Sequence, residues 1–336
     1  MKKFLFILLF PLVLQAQALV EKTPPEYIKT IIFKADGNDK NQFPIMRRNE
    51  SFSLQFDDII GNEETYYYQL THCNADWTPS QLLKSEYLKG IDGQPIQPVA
   101  NSYGTLQTYS HYRVTFPNEL TQPTLAGNYM LSITDSYGTE LFSRRFILYT
   151  PLVAVPTEVK RARDMKYYDT SQVVQFSIQQ RDLRLENPQE AVKVAILQNF
   201  RWDRAITGVK PQYVIGNDLV YKYDRETSFE GGNEYYYFDS KDLQVAAQGV
   251  VRLQRSKLIN SFLTVNTPRA NHLYTYYPDI NGDFLIKTLH GANYATEADY
   301  TWVHFALQGT SELWNKEVYV YGKFSNYELL NDYKFT

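Results

Sequence analysis

Thiols are all but absent. Cys73 is the single cysteine, so the chain can form no intramolecular disulfide and must be held together by its cores. Clustered cations are missing too. Lys and Arg number 34 against 37 Asp and Glu, and no basic run stands out. Nucleic acid is therefore not expected as a partner, since neutralising a phosphate backbone needs several grouped cations. Glycine and proline, at 16 and 15 residues, lie near average, which excludes collagen-like repetition and low-complexity disorder. Past residue 14 no apolar stretch approaches the roughly 20 residues of a membrane helix, and helical periodicity is scarce throughout.

What is present begins with an export signal. Lys2 and Lys3 precede an apolar run from Phe4 to Leu14, and Ala16-Gln17-Ala18 has the small-x-small form of a cleavage site. The run contains Pro11 and is too short to span a bilayer. It reads as a leader over residues 1–18, and no cysteine stands at the junction for lipid attachment. Removing it with Lys2 and Lys3 takes the formal charge from −3 to −5.

The rest alternates with period two. Phe52, Leu54 and Phe56 are interleaved with Ser53, Gln55 and Asp57, and Tyr129, Leu131 and Ile133 with Asn128, Ser132 and Thr134. Val174, Phe176 and Ile178, Val192, Val194 and Ile196, and Val303, Phe305 and Leu307 repeat the pattern. Each predicts a strand with one dry and one wet face, as in antiparallel sandwiches. Asn128 to Tyr149 reads as a hairpin turning at Asp135-Ser136-Tyr137-Gly138. The 28 tyrosines and 19 phenylalanines suit pleated, half-buried surfaces. The expected fold is all-β, with tandem immunoglobulin-like antiparallel sandwiches.

Proline-marked joints at Thr150-Pro151 to Pro156-Thr157 and at Asn266-Thr267-Pro268 divide the chain. The expected units are residues 19–152, residues 153–268, and a third β domain beginning at 269. Its strands, ending with Val318 to Phe324, are too few for a full sandwich, as though the sequence stops inside a domain. One helix is predicted over 79–88, because Thr78-Pro79-Ser80-Gln81 fits a capping box and Gly90 a C-terminal glycine. Trp77 should then bury against that helix through Leu83 or Tyr87.

No catalytic set emerges. His72 and Cys73 are adjacent, so on a strand they point to opposite faces and cannot form a nucleophile–base pair. Asp76 could join His72 in a metal site, but a third ligand at useful spacing is missing. Cys73 is expected to be buried and unreactive. Asp279-Ile280-Asn281-Gly282-Asp283 resembles a calcium loop, yet Phe284 and His290 stand where such a loop wants Gly and Glu. A β-turn before a strand near Phe284 is the simpler expectation. Glu226, Glu230 and Glu234 read as solvated carboxylates rather than a glycosidase pair. Gly231-Gly232 lacks the Lys-Ser/Thr of a phosphate loop. Tyr235-Tyr236-Tyr237-Phe238 could stack sugars, although half of it should enter a core if it is a strand. No cofactor, metal or small-molecule substrate is expected.

Several phrases resemble one family, the plug proteins of the type 9 secretion system. The clearest is Tyr66 to Gly90, with its core His72-Cys73-Asn74-Ala75-Asp76-Trp77. Gly231-Gly232-Asn233-Glu234 followed by Phe238-Asp239, and Glu297-Ala298-Asp299-Tyr300 followed by Trp302-Val303-His304-Phe305, come in the same order. The chain departs at Tyr235-Tyr236, where a basic residue is expected, and family members continue beyond a strand like Val318–Gly322. The resemblance implies a periplasmic protein at the inner side of the outer membrane. It implies a partner, the outer-membrane translocon barrel, whose periplasmic opening the protein closes when no cargo is loaded. The family carries no known catalytic residues, so His72, Cys73, Asn74, Asp76, Trp77, Gly231, Gly232, Asn233 and Glu234 are read as structural or interaction residues. An envelope carbohydrate-binding or adhesin-like sandwich is the alternative. An outer-membrane barrel is disfavoured by loop-like stretches such as Ile91 to Ser102, and an enzyme by the missing catalytic set.

Overall fold

The computed structural model describes residues 17–37, 43–180, 183, 185–232, 234–269 and 279–336. The expected leader lies almost wholly outside the described residues, and so does Asn233. The fold is all-β.

Two sheets make the first body. One orders β1 (Ile28–Ala35), β3 (Phe52–Asp58), β8 (Ser110–Phe116) and β7 (Val99–Asn101), all antiparallel. The other orders β2 (Ile45–Arg47), β11 (Glu140–Tyr149), β10 (Gly127–Thr134), β4 (Tyr67–Cys73) and β6 (Gln94–Pro95), with only β2 on β11 parallel. The predicted hairpin is β10–β11, and Asp135 closes it by accepting from the backbone N–H groups of Tyr137 and Thr139. Aromatic rings join the sheets: Phe33 and Phe52 meet Phe146, Phe56 meets Phe142, and Phe116 meets Tyr68 at 5.1–5.3 Å between centroids. Their burial supplies the cohesion that a disulfide-free chain requires.

The alternation in β3 is only half right. Phe52, Leu54 and Phe56 fill the core, but Ser53, Gln55 and Asp57 on the expected wet face are buried as well. Ser53 donates to Asp36, and Asp57 is covered by His111 and by Tyr300 from the far end of the chain. Burial of Ser53 and Asp57 is tolerated because both side chains are hydrogen-bonded.

The predicted helix is shorter and later than the sequence suggests. α1 spans Lys84–Tyr87, and the Leu83 N–H donates to the Glu86 carboxylate. Thr78-Pro79-Ser80 is otherwise engaged: Pro79 bridges Cys73, and the Ser80 N–H donates to the His72 carbonyl. The segment thus continues the β4 edge and cannot start a helix. Gly90 belongs to β5 (Leu88–Gly90), which pairs with β9 (Thr121–Pro123).

The next sheet joins β12 (Thr157–Arg161), β13 (Ser171–Ile178), β17 (Asp218–Tyr221) and β16 (Tyr213–Ile215), with β18 (Ser228–Glu230) also on β13. Phe176 stacks on Tyr221 at 4.4 Å in its core. Val192, Val194 and Ile196 do face this core. Only β14 (Ala195–Ile196) is strand there, paired with β15 (Ile206–Thr207), because α2 (Pro188–Ala191) occupies the chain before it.

The last sheet orders β19 (Val250–Arg255), β20 (Ile259–Asn266) and β21 (Thr301–Leu307), with β20 and β21 parallel. Residue 268 therefore falls between two strands of one sheet, and the crossover that parallel pairing needs carries α3 (Tyr294–Glu297). Three expected strands are missing among the described residues. Residues 235–238 and those following Phe284 form no ladder, and 318–324 contributes only a bridge from Tyr319 to Lys334.

Candidate interaction site

The His72–Trp77 segment is the corner where β4 leaves the sheet. Register with β10 sets His72 opposite Tyr129 and Cys73 opposite Asn128. As expected, the two side chains go to opposite faces. His72 enters the sandwich, edge-on to Tyr129 at 5.0 Å, and its Nδ1 shares a hydrogen bond with Ser80 Oγ at 2.9 Å. Burial lowers its pKa below the usual histidine value. Cys73 packs outward with Trp77 and Met130, and burial pushes its thiol up to about 11. At neutral pH it is a protonated, unreactive thiol.

Asn74 and Asp76 fasten the turn. The Asn74 carbonyl accepts from the Trp77 N–H at 3.0 Å and from Asn128 Nδ2 at 3.1 Å. Asp76 Oδ1 accepts from the Thr78 N–H at 3.0 Å and from its hydroxyl at 2.7 Å, and these bonds lower the carboxyl pKa. The Asn74 and Asp76 groups named here are spent within the corner, whereas His72 Nε2 is buried without a hydrogen-bond partner among the described residues.

Trp77 is buried, at 4% exposed, but not against α1. Leu83 is exposed, and Tyr87 packs on His72 and Tyr129 inside the sandwich. Trp77 lies on the outer face instead, edge-on to Trp202 at 4.7 Å, with the Arg145 guanidinium 4.5 Å from its ring. Arg145 reaches Trp202 as well, at 5.4 Å. Stacking and cation–π attraction hold this cluster; the indole N–H groups have no acceptor among the described residues. Leu19 joins it, donating its N–H to the Trp77 carbonyl at 2.9 Å and accepting from Arg145. The corner thus binds the first body to the segment around Trp202.

The second motif is a joint of another kind. The Gly231 N–H donates to the Thr170 carbonyl at 2.8 Å, and Gly232 takes a positive φ. Glu234 pairs with Arg269 at 3.2 Å, and Arg269 also lies 4.1 Å over the Tyr236 ring. The aromatic run after it is extended without a ladder: Tyr235 and Phe238 turn inward, Tyr236 and Tyr237 outward. The Tyr235 N–H donates to Asp279 at 2.6 Å, and burial pushes its phenol up to about 12. Asp279–Asp283 forms the expected turn, with the Asp283 N–H donating to the Ile280 carbonyl. Asp283 is then taken by Lys323 at 2.9 Å. Among the described residues no group of three metal-ligating side chains occurs.

The third motif docks on the first body. Asp299 accepts from the N–H groups of Leu106 and Gln107 at 2.8 and 3.2 Å, and the Ala298 carbonyl accepts from the Tyr109 hydroxyl at 2.9 Å. Tyr300 donates to Asp57 at 2.6 Å. Thr30, at a bulge in β1 with a positive φ, brings its hydroxyl to 2.5 Å from the same phenol oxygen. The structure does not bring the three motifs together; each fastens a different joint. Sequence reasoning missed the partners Asp57, His111, Arg145 and Trp202. The signal available was Arg144-Arg145 inside the apolar strand β11.

Comparison with known proteins follows the same division. A family model described as the type 9 secretion system plug protein 1st domain matches residues 28–150. A crystal structure of a hypothetical protein from Parabacteroides merdae is similar over nearly the whole chain. It shares 29% sequence identity at a TM-score of 0.88, covering 95% of this chain and 81% of that one. No curated protein matches. The matched span runs from the start of β1 to the residue after β11, so the likeness to the type 9 secretion system plug protein 1st domain covers the first sandwich.

Proposed function

We propose that this protein is a periplasmic plug, which binds the outer-membrane translocon of the type 9 secretion system and blocks its periplasmic opening while no cargo is loaded. The observation carrying this reading is the family match over residues 28–150. Export by a leader over residues 1–18 and residence at the inner side of the outer membrane belong to the same proposal. So does a modular chain with a joint near 152, its first unit an immunoglobulin-like sandwich; a joint at 268 would cut the β19–β20–β21 sheet.

The mechanism is steric. A β domain of about 115 residues has a radius of gyration near 13 Å, or roughly 35 Å across as a sphere. An opening that passes folded cargo is of that order. A plug must also resist deformation, and the contacts at Trp77–Trp202 and Tyr300–Asp57 suit that need. In this reading His72, Cys73, Asn74, Asp76, Trp77, Gly231, Gly232 and Glu234 are structural or interaction residues, and no residue is catalytic.

The experiment is affinity purification of the translocon with and without cargo, followed by identification of the co-purifying proteins. The plug reading requires this chain in the idle complex and its depletion from the loaded one. Absence from both, with retention on a glycan array, would favour the carbohydrate-binding alternative.

A further inference from the structure

We propose that the open face of the β19–β20–β21 sheet is the centre of the docking surface, and that it takes an acidic protein patch at the periplasmic mouth of the translocon; this rests on the plug reading above. The Trp302-Val303-His304-Phe305 motif supplies its edge. Val303 and Phe305 are half-buried, while Trp302, 64% exposed, and His304 stand on the open side. Pairing aligns Arg252, Phe262 and His304 in one cross-strand row and Gln254, Asn260 and Trp302 in the next.

The row is pre-assembled. The Phe262 and His304 rings stack at 4.3 Å with planes 9° apart, and the Arg252 guanidinium lies 4.0 Å over Phe262. His304 Nε2 is also held by Asn260 Oδ1 at 2.9 Å. Docking on side chains already in place loses little rotamer freedom. Exposed Trp and Arg are also the residue types that carry binding energy at protein interfaces.

Charge selects the partner. On the open face the strands carry Arg252 and no carboxylate, Arg255 alternating to the other side, and Lys257 lies in the turn joining β19 and β20. A face that carries a cation and no carboxylate, on a chain of net charge −3, fits a surface rich in Asp and Glu. Ring geometry argues against a sugar. β19 and β21 flank β20, so Arg252 and His304 cover the two faces of Phe262 and leave no flat ring platform there. A standard interface covers about 800 Å² per partner, so this face is a centre and not the whole contact.

The test uses the full mature chain on immobilised, detergent-solubilised translocon, with a glycan array beside it. Trp302→Ala and Arg252→Glu should each weaken translocon binding at least about tenfold, with unchanged melting temperature. Trp314→Ala, at a still more exposed tryptophan outside the sheet, should leave binding intact. Wild-type binding should weaken as salt rises. If wild-type protein binds and both variants bind as well, this inference is wrong and the plug reading stands. If wild-type protein does not bind at all, the plug reading itself fails. Variants that keep the translocon but lose glycan retention would reassign the face to carbohydrate.

Discussion

The phenol of Tyr300 donates to Asp57 across 243 residues of sequence, at 2.6 Å. Asp57 turns its other oxygen to His111, also at 2.6 Å, and both members of that pair are largely buried. The contact lies on the outer face of β3, where alternation alone would place solvent. It fastens the residues leading into β21 onto the first sandwich, with Asp299 and Ala298 bonded alongside.

Tyr300→Phe removes one hydroxyl and leaves Asp57 buried with a partner short. The expected cost is about 1–3 kcal/mol, because an unsatisfied buried acceptor loses more than the mean worth of a hydrogen bond. Urea denaturation checks it, and the α3–β21 segment should gain amide exchange before the first sandwich does.

Alkaline solution should loosen the same joint. Burial raises the Tyr300 phenol well above its ordinary value and raises Tyr109, Tyr112, Tyr129 and Tyr327 as well. Unfolded tyrosines lose their protons near pH 10, whereas these folded ones hold theirs. Their contribution is therefore complete below about pH 10 and is lost as pH rises beyond it. Denaturant midpoints should fall steadily above pH 10, less steeply in Tyr300→Phe.

Trp77 and Trp202 form the other joint, with Arg145 against both rings. Trp77→Ala should cost about 3–5 kcal/mol. A double-mutant cycle with Trp202→Ala should show a coupling of about 0.5–1.5 kcal/mol. Additivity would mean that the rings do not support each other.

Gly90 has φ +101°, and a Cβ there would lie 2.0 Å from the Leu120 carbonyl oxygen. Gly90→Ala should separate β5 from β9 and lower the melting temperature severely. Gly93→Ala, with open space around its Cβ, should cost only the strain of its positive φ.

The sequence made the strands of the first sandwich legible because its core is built on period-two aromatics. Phe52-x-Leu54-x-Phe56 and Tyr129-x-Leu131-x-Ile133 sit where alternation puts them. It misjudged residues 78–90 because Thr-Pro-Ser-Gln is as good a strand-edge turn as a helix cap, and the choice was made by His72 and Cys73. Later strands were overcalled for a related reason. Tyr235–Phe238 forms no ladder, and Val318–Val320 pairs only briefly with Tyr333–Phe335, so apolar content there marks partial side-chain burial more than a strand. Opposite faces for His72 and Cys73 followed from strand geometry alone. Trp202, Asp57 and Tyr300 could not be matched to their partners, since nothing local records a contact across more than a hundred residues.

The central claim is that this protein closes an idle channel, and outer-membrane leakage to a large antibiotic tests it most directly. Entry should be measured in wild type, in a strain lacking this protein, in one lacking the translocon, and in the double deletion. The account expects a leak on loss of this protein alone and none in the double deletion, because without the channel there is nothing to plug. An equal leak with and without the translocon would contradict it.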